Sequence, residues 1–541
     1  MTRQLALAVC LAALLTACTT GAPEGDLSVV LVSPDSLRVD RLPPWNPEAP
    51  PAPNVERLAW RGTVYLNAWA SSPWTAPSMV SIFTGLYPPS HGVAYRDDTT
   101  PRGLATLPRL LGEKGYRLGN FSFFSQVSYF RNLGLGSAVP DLSHDRVAES
   151  FEQWLGEQPP DQPFFAWVHL LETHLPYGAT GYRATEVAVP GSTGLEKAQL
   201  RGTVPVGSAE FEDGDRERLL ELYDRDVAAM DAALGRVLDA LQSRGLEDRT
   251  LIVFVADHGE ELLDDGWVGH ASTSIAAKLI PQILRVPLIV AGPGVGAGRL
   301  RSSLVQPVDI LPTLARWLDL DLPAEIDGRP LPGTGSFFER PRRLAFFDSS
   351  PGGNLTPLER RGERLQGLTD GRCLLEARSR PGTDDVRRLR PIVPGACDGR
   401  EDELVTELDR WRTRQTEQRL ALLSATPDET APASEEVDGY DEVLEVLEPR
   451  SGQTLVRDET GGLITLAWTG DDKPYWIEYR LSGVAAPRGA FAVEQSRVVF
   501  GPVPEGFWND VAAYSPIRIR IVDPAARRRS PWIEIEVAEA G

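Results

Sequence analysis

The sequence predicts an α/β domain followed by a smaller all-β domain, and three observations carry that reading. Thr250–Glu261 reads T-L-I-V-F-V-A-D-H-G-E-E. Its opening run of apolar, mostly β-branched or aromatic residues is that of a strand buried on both faces, as in a parallel sheet. Leu27–Ser33 (L-S-V-V-L-V-S) is a second run of this kind, ending in Pro34-Asp35. The last hundred residues instead hold short alternating runs, among them Leu463–Trp468, Trp476–Tyr479, Ile517–Ile521 and a run from Ile533 to Val537. Turn-separated strands of that kind predict an independent β-sandwich of the fibronectin-III or immunoglobulin type.

In open α/β sheets the chemistry sits outside the carboxyl ends of the strands. Asp35, Asp257 and His258 are therefore presented where a site is expected. A carboxylate beside an imidazole suits a divalent metal. D-H-G alone is weak evidence, because polar loops after strands are commonplace, and its weight depends on partners elsewhere.

With 541 residues the chain is too long for one typical domain. Its 42% apolar and 24% charged residues are those of a globular protein. A net charge of −21 argues against nucleic acid, whose binding rests on neutralising phosphates. The bland reading, a soluble acidic surface, is preferred to a basic substrate.

The N-terminus reads as a targeting segment. Arg3 precedes the apolar run Leu5–Leu15, which is too short to span a bilayer and has the length of a signal h-region. The run leads into Leu15-Thr16-Ala17-Cys18, L-T-A-C, which resembles the bacterial lipobox. That resemblance implies a signal peptide at 1–17, cleavage before Cys18 and acylation of Cys18. Residues 18–26 then form a short tether to the envelope. Thr19 is not the aspartate that holds many lipoproteins at the inner membrane, so the lipid anchor is compatible with the outer membrane as well as with the periplasmic side of the inner one. No later stretch is long and apolar enough for a transmembrane helix. Of the four cysteines, Cys10 leaves with the signal, and Cys373 and Cys397 remain in an oxidising compartment, where a disulfide between them is expected. Neither has the close spacing of a zinc site.

Pro43–Pro53 is a proline-rich loop, and Val55–Arg61 reads as a short helix ended by Gly62. Next comes Ser72–Gly85, S-P-W-T-A-P-S-M-V-S-I-F-T-G. Pro77 suits the first turn of a helix, where its missing N–H costs nothing. Thr75 then stands at a helix N-terminus, whose exposed N–H groups favour an anion. Towards the C-terminus, Glu401–Leu423 reads as an amphipathic helix through Leu404, Leu408 and Trp411. Residues 424–440 are an acidic Pro/Ala/Ser linker to the module at 441–541.

Several ordered motifs carry a family likeness: V-S-P-D-S-L-R-V-D from Val32, P-N-V-E-R-L-A from Pro53, N-A-W-A-S-S-P-W-T-A-P-S from Asn67 and T-G-L-Y-P-x-x-H-G-V from Thr84. They continue with P-F-F-A-W-V-H-L-L-E-T-H-L-P-Y from Pro163, the helix Leu222–Leu241, D-H-G-E-E from Asp257, G-H at Gly269-His270, R-V-P-L-I-V-A-G-P-G-V from Arg285 and Q-P-V-D-I-L-P-T-L from Gln306. Together these resemble the sulfatase branch of the alkaline phosphatase superfamily over roughly residues 27–325. In the long helix, Val227, Met230, Leu234 and Val237 make one apolar face and need only core packing as their role.

The resemblance implies an alkaline-phosphatase-like sheet sandwiched by helices at 27–340, completed by a C-terminal subdomain at 341–423. It implies that Asp35, Asp257, His258 and Thr75 bind one divalent metal, with Thr75 the nucleophile. By the same resemblance His174 and His270 contact the anion or protonate the leaving group. Oxygen-rich ligands favour calcium, while His258 allows manganese or zinc. A second metal is not expected, because the helix around Asp224 and Asp231 supplies no histidine. His169 and His91 read as structural.

The sequence departs from the family at the nucleophile. Formylglycine sulfatases carry C/S-x-P-x-R, whereas this chain has Thr75-Ala76-Pro77-Ser78-Met79. Threonine cannot be oxidised to that aldehyde, and Met79 removes a charge. A plain threonyl ester has no second hydroxyl to expel its anion and must be cleaved by external attack, which is ordinary for phosphoryl esters and difficult for sulfate. Ser36 stands where a second aspartate is frequent, Ser272–Ala277 lack the acidic residue that often follows G-H, and Lys278 is a lone lysine within reach of an anion. The function expected is metal-dependent hydrolysis of an anionic sulfuric or phosphoric ester by Thr75. The alternatives are a phosphodiesterase or phosphotransferase of the superfamily, or a non-catalytic scaffold binding envelope components.

Overall fold

The computed structural model describes residues 27–538 except for a few short stretches and 123–127, 137–145, 178–212, 271–277, 334–341, 351–362, 426–440, 456–463, 470–474, 482–487 and 501–515. The signal segment, Cys18, the tether, most of the linker and Ser272–Ala277 lie outside the described residues. The chain divides into two compact units, one running to Leu422 and the other from Leu423 to the C-terminus.

In the first unit the strands are β1 (Ser28–Pro34), β2 (Gly62–Ala68), β3 (Arg117–Phe121), β4 (Phe164–Leu170), β5 (Thr250–Val255), the two-residue pair β6 (Glu261–Leu262) and β7 (Val268–Gly269), β8 (Leu288–Ala291) and β9 (Arg299–Val305). Between them lie α1 (Pro53–Arg61), α2 (Thr75–Thr84), α3 (Pro88–His91), α4 (Leu107–Glu113), α5 (Val147–Gly156), α6 (Asp215–Ser243), α7 (Pro281–Leu284) and, after β9, α8 (Ile310–Leu318). Seven strands form one sheet in the order β3-β4-β1-β5-β8-β2-β9. Every pairing is parallel except those of β8, which runs against both neighbours. The two runs singled out in the sequence, β1 and β5, are adjacent central strands, and every one of their residues is buried. That double-sided burial is why they lack polar alternation.

Helices cover the sheet in two groups. α1 and α5 pack on the long α6, while α2 packs with α3, α4 and α8. Along α6 the buried side chains Leu219, Tyr223, Val227, Met230, Leu234, Val237 and Leu241 recur at helical spacing. Asp231 and Asp224, the two acids of this helix weighed above for a second metal, are structural. Asp231 accepts hydrogen bonds from the N–H groups of Asn54 and Val55, satisfying donors of the first turn of α1 that Ala52 leaves uncapped. Asp224 pairs with Arg41. α2 is buried along its whole length and ends where Gly85 adopts φ +66°, the left-handed turn that lets its N–H close on Ser81 O.

A four-stranded antiparallel sheet follows, β10 (Ala345–Ser349), β11 (Arg364–Thr369), β12 (Cys373–Ser379) and β13 (Val386–Pro391), and then α9 (Glu401–Ala425). Leu404, Leu408 and Trp411 of α9 are buried with Tyr87, Phe346, Leu368, Cys373 and Cys397 in one cluster. The expected disulfide joins Cys373 to Cys397 in this cluster. The buried Arg342–Asp309 ion pair and the Gln306–Phe346 hydrogen bonds tie this sheet to the start of α8.

The second unit is all β among the described residues. Tyr475–Leu481, Arg488–Val493, Ile517–Asp523 and Ile533–Val537 belong to one sheet; Val446–Glu448, Ile464–Trp468 and Arg497–Phe500 form another. Its alternation is literal: Ile517, Ile519 and Ile521 are buried while Arg518 between them is exposed.

Candidate active site

The register of the large sheet gathers the candidate residues at one edge. β1 and β5 run side by side with Val32 opposite Phe254, so Asp35 and Asp257 leave the sheet together at the carboxyl ends. β4 lies on the other side of β1 with His169 opposite Ser33, and Leu170 O accepts the N–H of Asp35. α2 begins at Thr75, so its N-terminus opens onto the same edge.

Asp35, Asp257 and His258 are completely buried, and one ligand-type atom from each lies within 4.8 Å of the others. His258 Nε2 is 3.7 Å from Asp35 Oδ1 and 3.4 Å from Asp257 Oδ2. The Thr75 hydroxyl lies 3.4 Å from Asp35 Oδ2 and 3.3 Å from His258 Nε2. His258 Nδ1 donates to Gly259 O at 2.8 Å, which leaves a lone pair on Nε2 facing the carboxylates. Gly259 is required by crowding: a Cβ there would stand 2.1 Å from Gln282 O.

Polar contacts fix both carboxylates. Asp35 Oδ1 accepts from Ser36 Oγ at 2.8 Å, and its backbone carbonyl from Thr173 Oγ1 at 2.6 Å. Asp257 Oδ1 accepts from the N–H groups of Ser36 and His258, at 3.2 and 2.8 Å. Ser36 reaches both acids because its backbone sits at φ +59°, a sparsely populated region for a residue with a side chain. Oδ2 of Asp257 is buried and accepts no hydrogen bond among the described residues. Burial opposes the charge on both acids. In Asp35, His174 and the contact with His169 outweigh it and hold the carboxyl below the usual range. Asp257, buried and facing the charge of Asp35, is pushed well up. Burial and the neighbouring His270 hold His258 down at about 3, so it is a neutral imidazole.

Two buried carboxylates, an oxygen lacking a donor and a neutral imidazole nitrogen form a donor set that a divalent cation completes. The residues therefore fit the metal that the resemblance implies.

The two further histidines expected at the site are there. The His270 ring is centred 4.4 Å from that of His258 and 5.3 Å from that of His174. His174 Nδ1 donates to Leu175 O at 2.6 Å. Met79 is buried in α2, and Ser78 donates to Asp257 O at 2.5 Å. Lys278 Nζ bonds Asp265, at 2.9 Å to both its carbonyl and its carboxylate.

Three residues to which sequence reasoning gave no part in the site lie against this cluster. His169, read as structural, stacks on Trp167 and places Nε2 3.4 Å from Asp35 Oδ2. Glu260, completely buried, bonds His270 Nδ1 through both oxygens at 3.0 and 3.2 Å. Burial pushes Glu260 up to about 7, against the pull of His258. Ser36 was noted only as a missing aspartate. His91 is structural as read: its Nε2 donates to Pro77 O, and its Nδ1 accepts from Val93 N–H.

Comparison with known proteins gives this architecture a family. The family profile described as Sulfatase matches residues 28–320, more than half of the chain. The low-salt glycan biosynthesis sulfotransferase Agl7 of Haloferax volcanii is 30% identical over 291 residues, 54% of this chain and 60% of that protein. An ulvan-active sulfatase of Formosa agariphila is 24% identical over 315 residues, 52% of this chain and 59% of its own. The matches thus span about 60% of these two relatives. Among solved structures, the phosphonate monoester hydrolase of Agrobacterium radiobacter superposes with a TM-score of 0.55 at 21% identity, over 72% of this chain and 96% of that one. That likeness is one of fold. The motifs, the sheet and the profile agree: this chain belongs to the sulfatase family of the alkaline phosphatase superfamily.

Proposed function

We propose that the protein is a metal-dependent hydrolase of anionic esters in which Thr75 is the nucleophile. One observation carries the reading: the Thr75 hydroxyl heads a buried helix and lies 3.4 Å from Asp35 and 3.3 Å from His258, inside the only cluster of metal-ligand type among the described residues. Asp35, Asp257 and His258, with Thr75 beside them, would hold the ion. When bound, the ion neutralises ester charge and acidifies the hydroxyl. Calcium is the first choice, and the imidazole lets manganese or zinc compete.

The Thr75 hydroxyl first loses its proton to solvent; the alkoxide attacks the central phosphorus or sulfur of the ester, the bond to the leaving oxygen breaks as the threonyl ester forms, and Thr75 departs again as the alkoxide when that ester is cleaved. The leaving oxygen takes a proton from an imidazole, His270 or His174. Burial holds His270 down at about 4, and the negative charge of a bound ester raises it towards a protonated acid. Water then cleaves the threonyl ester, returning a proton to the imidazole and freeing the anion. This external hydrolysis is ordinary for phosphoryl groups and difficult for sulfate, so the favoured substrates are phosphomonoesters, phosphodiesters or phosphonate esters.

Transfer to an acceptor is the second reading, favoured by the Haloferax relative that bears the name of a sulfotransferase. It requires the same threonyl ester, captured by an alcohol instead of water.

We also propose an envelope location through acylated Cys18, supported by the apolar run and L-T-A-C at the N-terminus. A chain carrying Cys18→Ser should leave the membrane fraction; a membrane-bound variant would refute the anchor.

The functional test sets matched aryl sulfate, phosphate, phosphodiester and phosphonate esters before the wild type and Thr75→Ala, with calcium, manganese and zinc. Phosphoester turnover lost in Thr75→Ala is the expected result. Sulfate turnover would overturn the argument from the missing aldehyde, and product formed only with an added alcohol would select transfer.

A further inference from the structure

We infer that Glu260 is the positioning residue for His270, holding the imidazole so that one defined nitrogen serves the leaving group. The inference rests on the reading of His270 as proton donor and deepens it. The hairpin β6–β7 builds the pair. Glu261 lies opposite Gly269 in antiparallel register, so the residues just outside the hairpin, Glu260 and His270, meet across its mouth.

The backbone of Glu260 is anchored on two sides. Its N–H donates to Gln282 O at 3.2 Å, and its carbonyl accepts from Arg38 Nη1 at 3.3 Å. Arg38 is itself clamped by Asp40 and Asp264. The carboxylate, completely buried, then engages Nδ1 of His270 at 3.0 and 3.2 Å, while Ser36 Oγ lies 3.5 Å from the same nitrogen.

The consequence does not depend on which partner carries the shared proton. With Nδ1 occupied by Glu260, only Nε2 of His270 can exchange a proton with a bound ester. The ring is centred 4.4 Å from that of His258, whose Nε2 lies 3.3 Å from the Thr75 hydroxyl, so the imidazole stands beside the reacting cluster. A carboxylate behind an imidazole fixes ring orientation and tautomer, and losing such a partner typically costs about 10–100-fold in activity or ligand affinity.

The test compares wild type, Glu260→Gln, His270→Ala and the double variant on the ester class that the wild type hydrolyses, with 4-nitrophenol and phenol as leaving groups. Nitrophenolate departs without help, whereas phenolate needs the proton. Glu260→Gln should lower kcat on the phenyl ester by about 10–100-fold with KM nearly constant, while sparing the nitrophenyl ester. The double variant should be no slower than His270→Ala, because a residue acting through another is non-additive with it. Equal losses on both leaving groups, or losses that multiply in the double variant, would overturn the inference. Nitrogen-15 spectra of histidine-labelled full-length protein provide a readout independent of turnover. In the wild type His270 should show one tautomer, and Glu260→Gln should abolish that preference. An unchanged His270 spectrum overturns the pairing, whereas a wild type inert towards every ester, with the spectral change intact, defeats only the hydrolase reading.

Discussion

Asp257 shows how much a single side chain here serves function against stability. It is completely buried, faces Asp35, and leaves Oδ2 without a hydrogen bond among the described residues. Like charges brought together in a dry site destabilise the fold unless a cation joins them. Asp257→Asn should therefore leave the metal-free protein at least as stable as the wild type. It should also abolish the rise in melting temperature that a divalent ion gives the wild type by binding only the folded state. Thermal unfolding with chelator and with a calcium, manganese or zinc series checks both halves. A variant still stabilised by the ion at wild-type concentrations would remove Asp257 from the ligand set. At this scale the sequence was readable for Asp35, Asp257, His258 and Thr75, because each sits at a strand end or helix start that apolar patterning marks. It passed over Glu260, and gave Ser36 and His169 no part in the site. Their roles follow from a left-handed backbone, a parallel register and a hairpin mouth, none of which a linear pattern encodes.

At the scale of elements, α2 carries Thr75, the proposed nucleophile, and its neighbour α3 steadies that helix through His91. The imidazole donates from Nε2 to Pro77 O in the first turn of α2, with Ser81 Oγ 3.1 Å from the same nitrogen. Burial holds its pKa down at about 3, against an ordinary value of 6.5. A depressed histidine contributes stability that is complete above pH 6.5 and lost as the pH falls from there towards 3, because only the unfolded chain binds the proton in that window. By pH 5 the loss reaches about 2 kcal/mol, that is, 1.36 kcal/mol for each pH unit below the unfolded value. His91→Gln removes the titration while keeping a donor and an acceptor. It should be less stable than the wild type at pH 7.5, and the difference should shrink by about 2 kcal/mol at pH 5. Urea unfolding at the two pH values measures this; a constant difference would show that His91 titrates alike in both states. The elements themselves were legible. The predicted helix at Val55–Arg61 begins two residues earlier, at Pro53, because Asp231 of the helix packed against it, α6, accepts from its first N–H groups, a tertiary cap far away in sequence. The helix predicted at Leu222–Leu241 extends to Asp215–Ser243: Leu219 continues the apolar stripe one turn earlier, while the charged first turn Asp215–Arg218 and Gln242-Ser243 carry no large apolar residue to mark the ends.

For the whole molecule, the division of labour between the two units is the question that composition raised and the fold sharpens. Every candidate site residue, the metal cluster and the Cys373–Cys397 disulfide belong to the unit that ends at Leu422. Its core is continuous from β1 to β12, and α9 closes the four-stranded sheet through Leu404, Leu408 and Trp411. The second unit buries its own set, Trp468, Ile519, Ile521, Ile535 and Val537. A unit with a hydrophobic core of its own can fold by itself. A chain ending at Ala425 should therefore keep its melting transition, its disulfide and its affinity for the divalent ion. It should turn over small aryl esters at a rate within about 3-fold of the full chain, since no group in the chemical step has been removed and remote sites act additively. Calorimetry of the full chain should resolve a second transition that the shortened chain lacks. Loss of metal affinity or of small-ester turnover on truncation would mean that the β unit supports the active site directly. If small esters are unaffected and a large natural substrate is not, the β unit is a substrate-binding module, and its exposed strand faces are where the contact belongs.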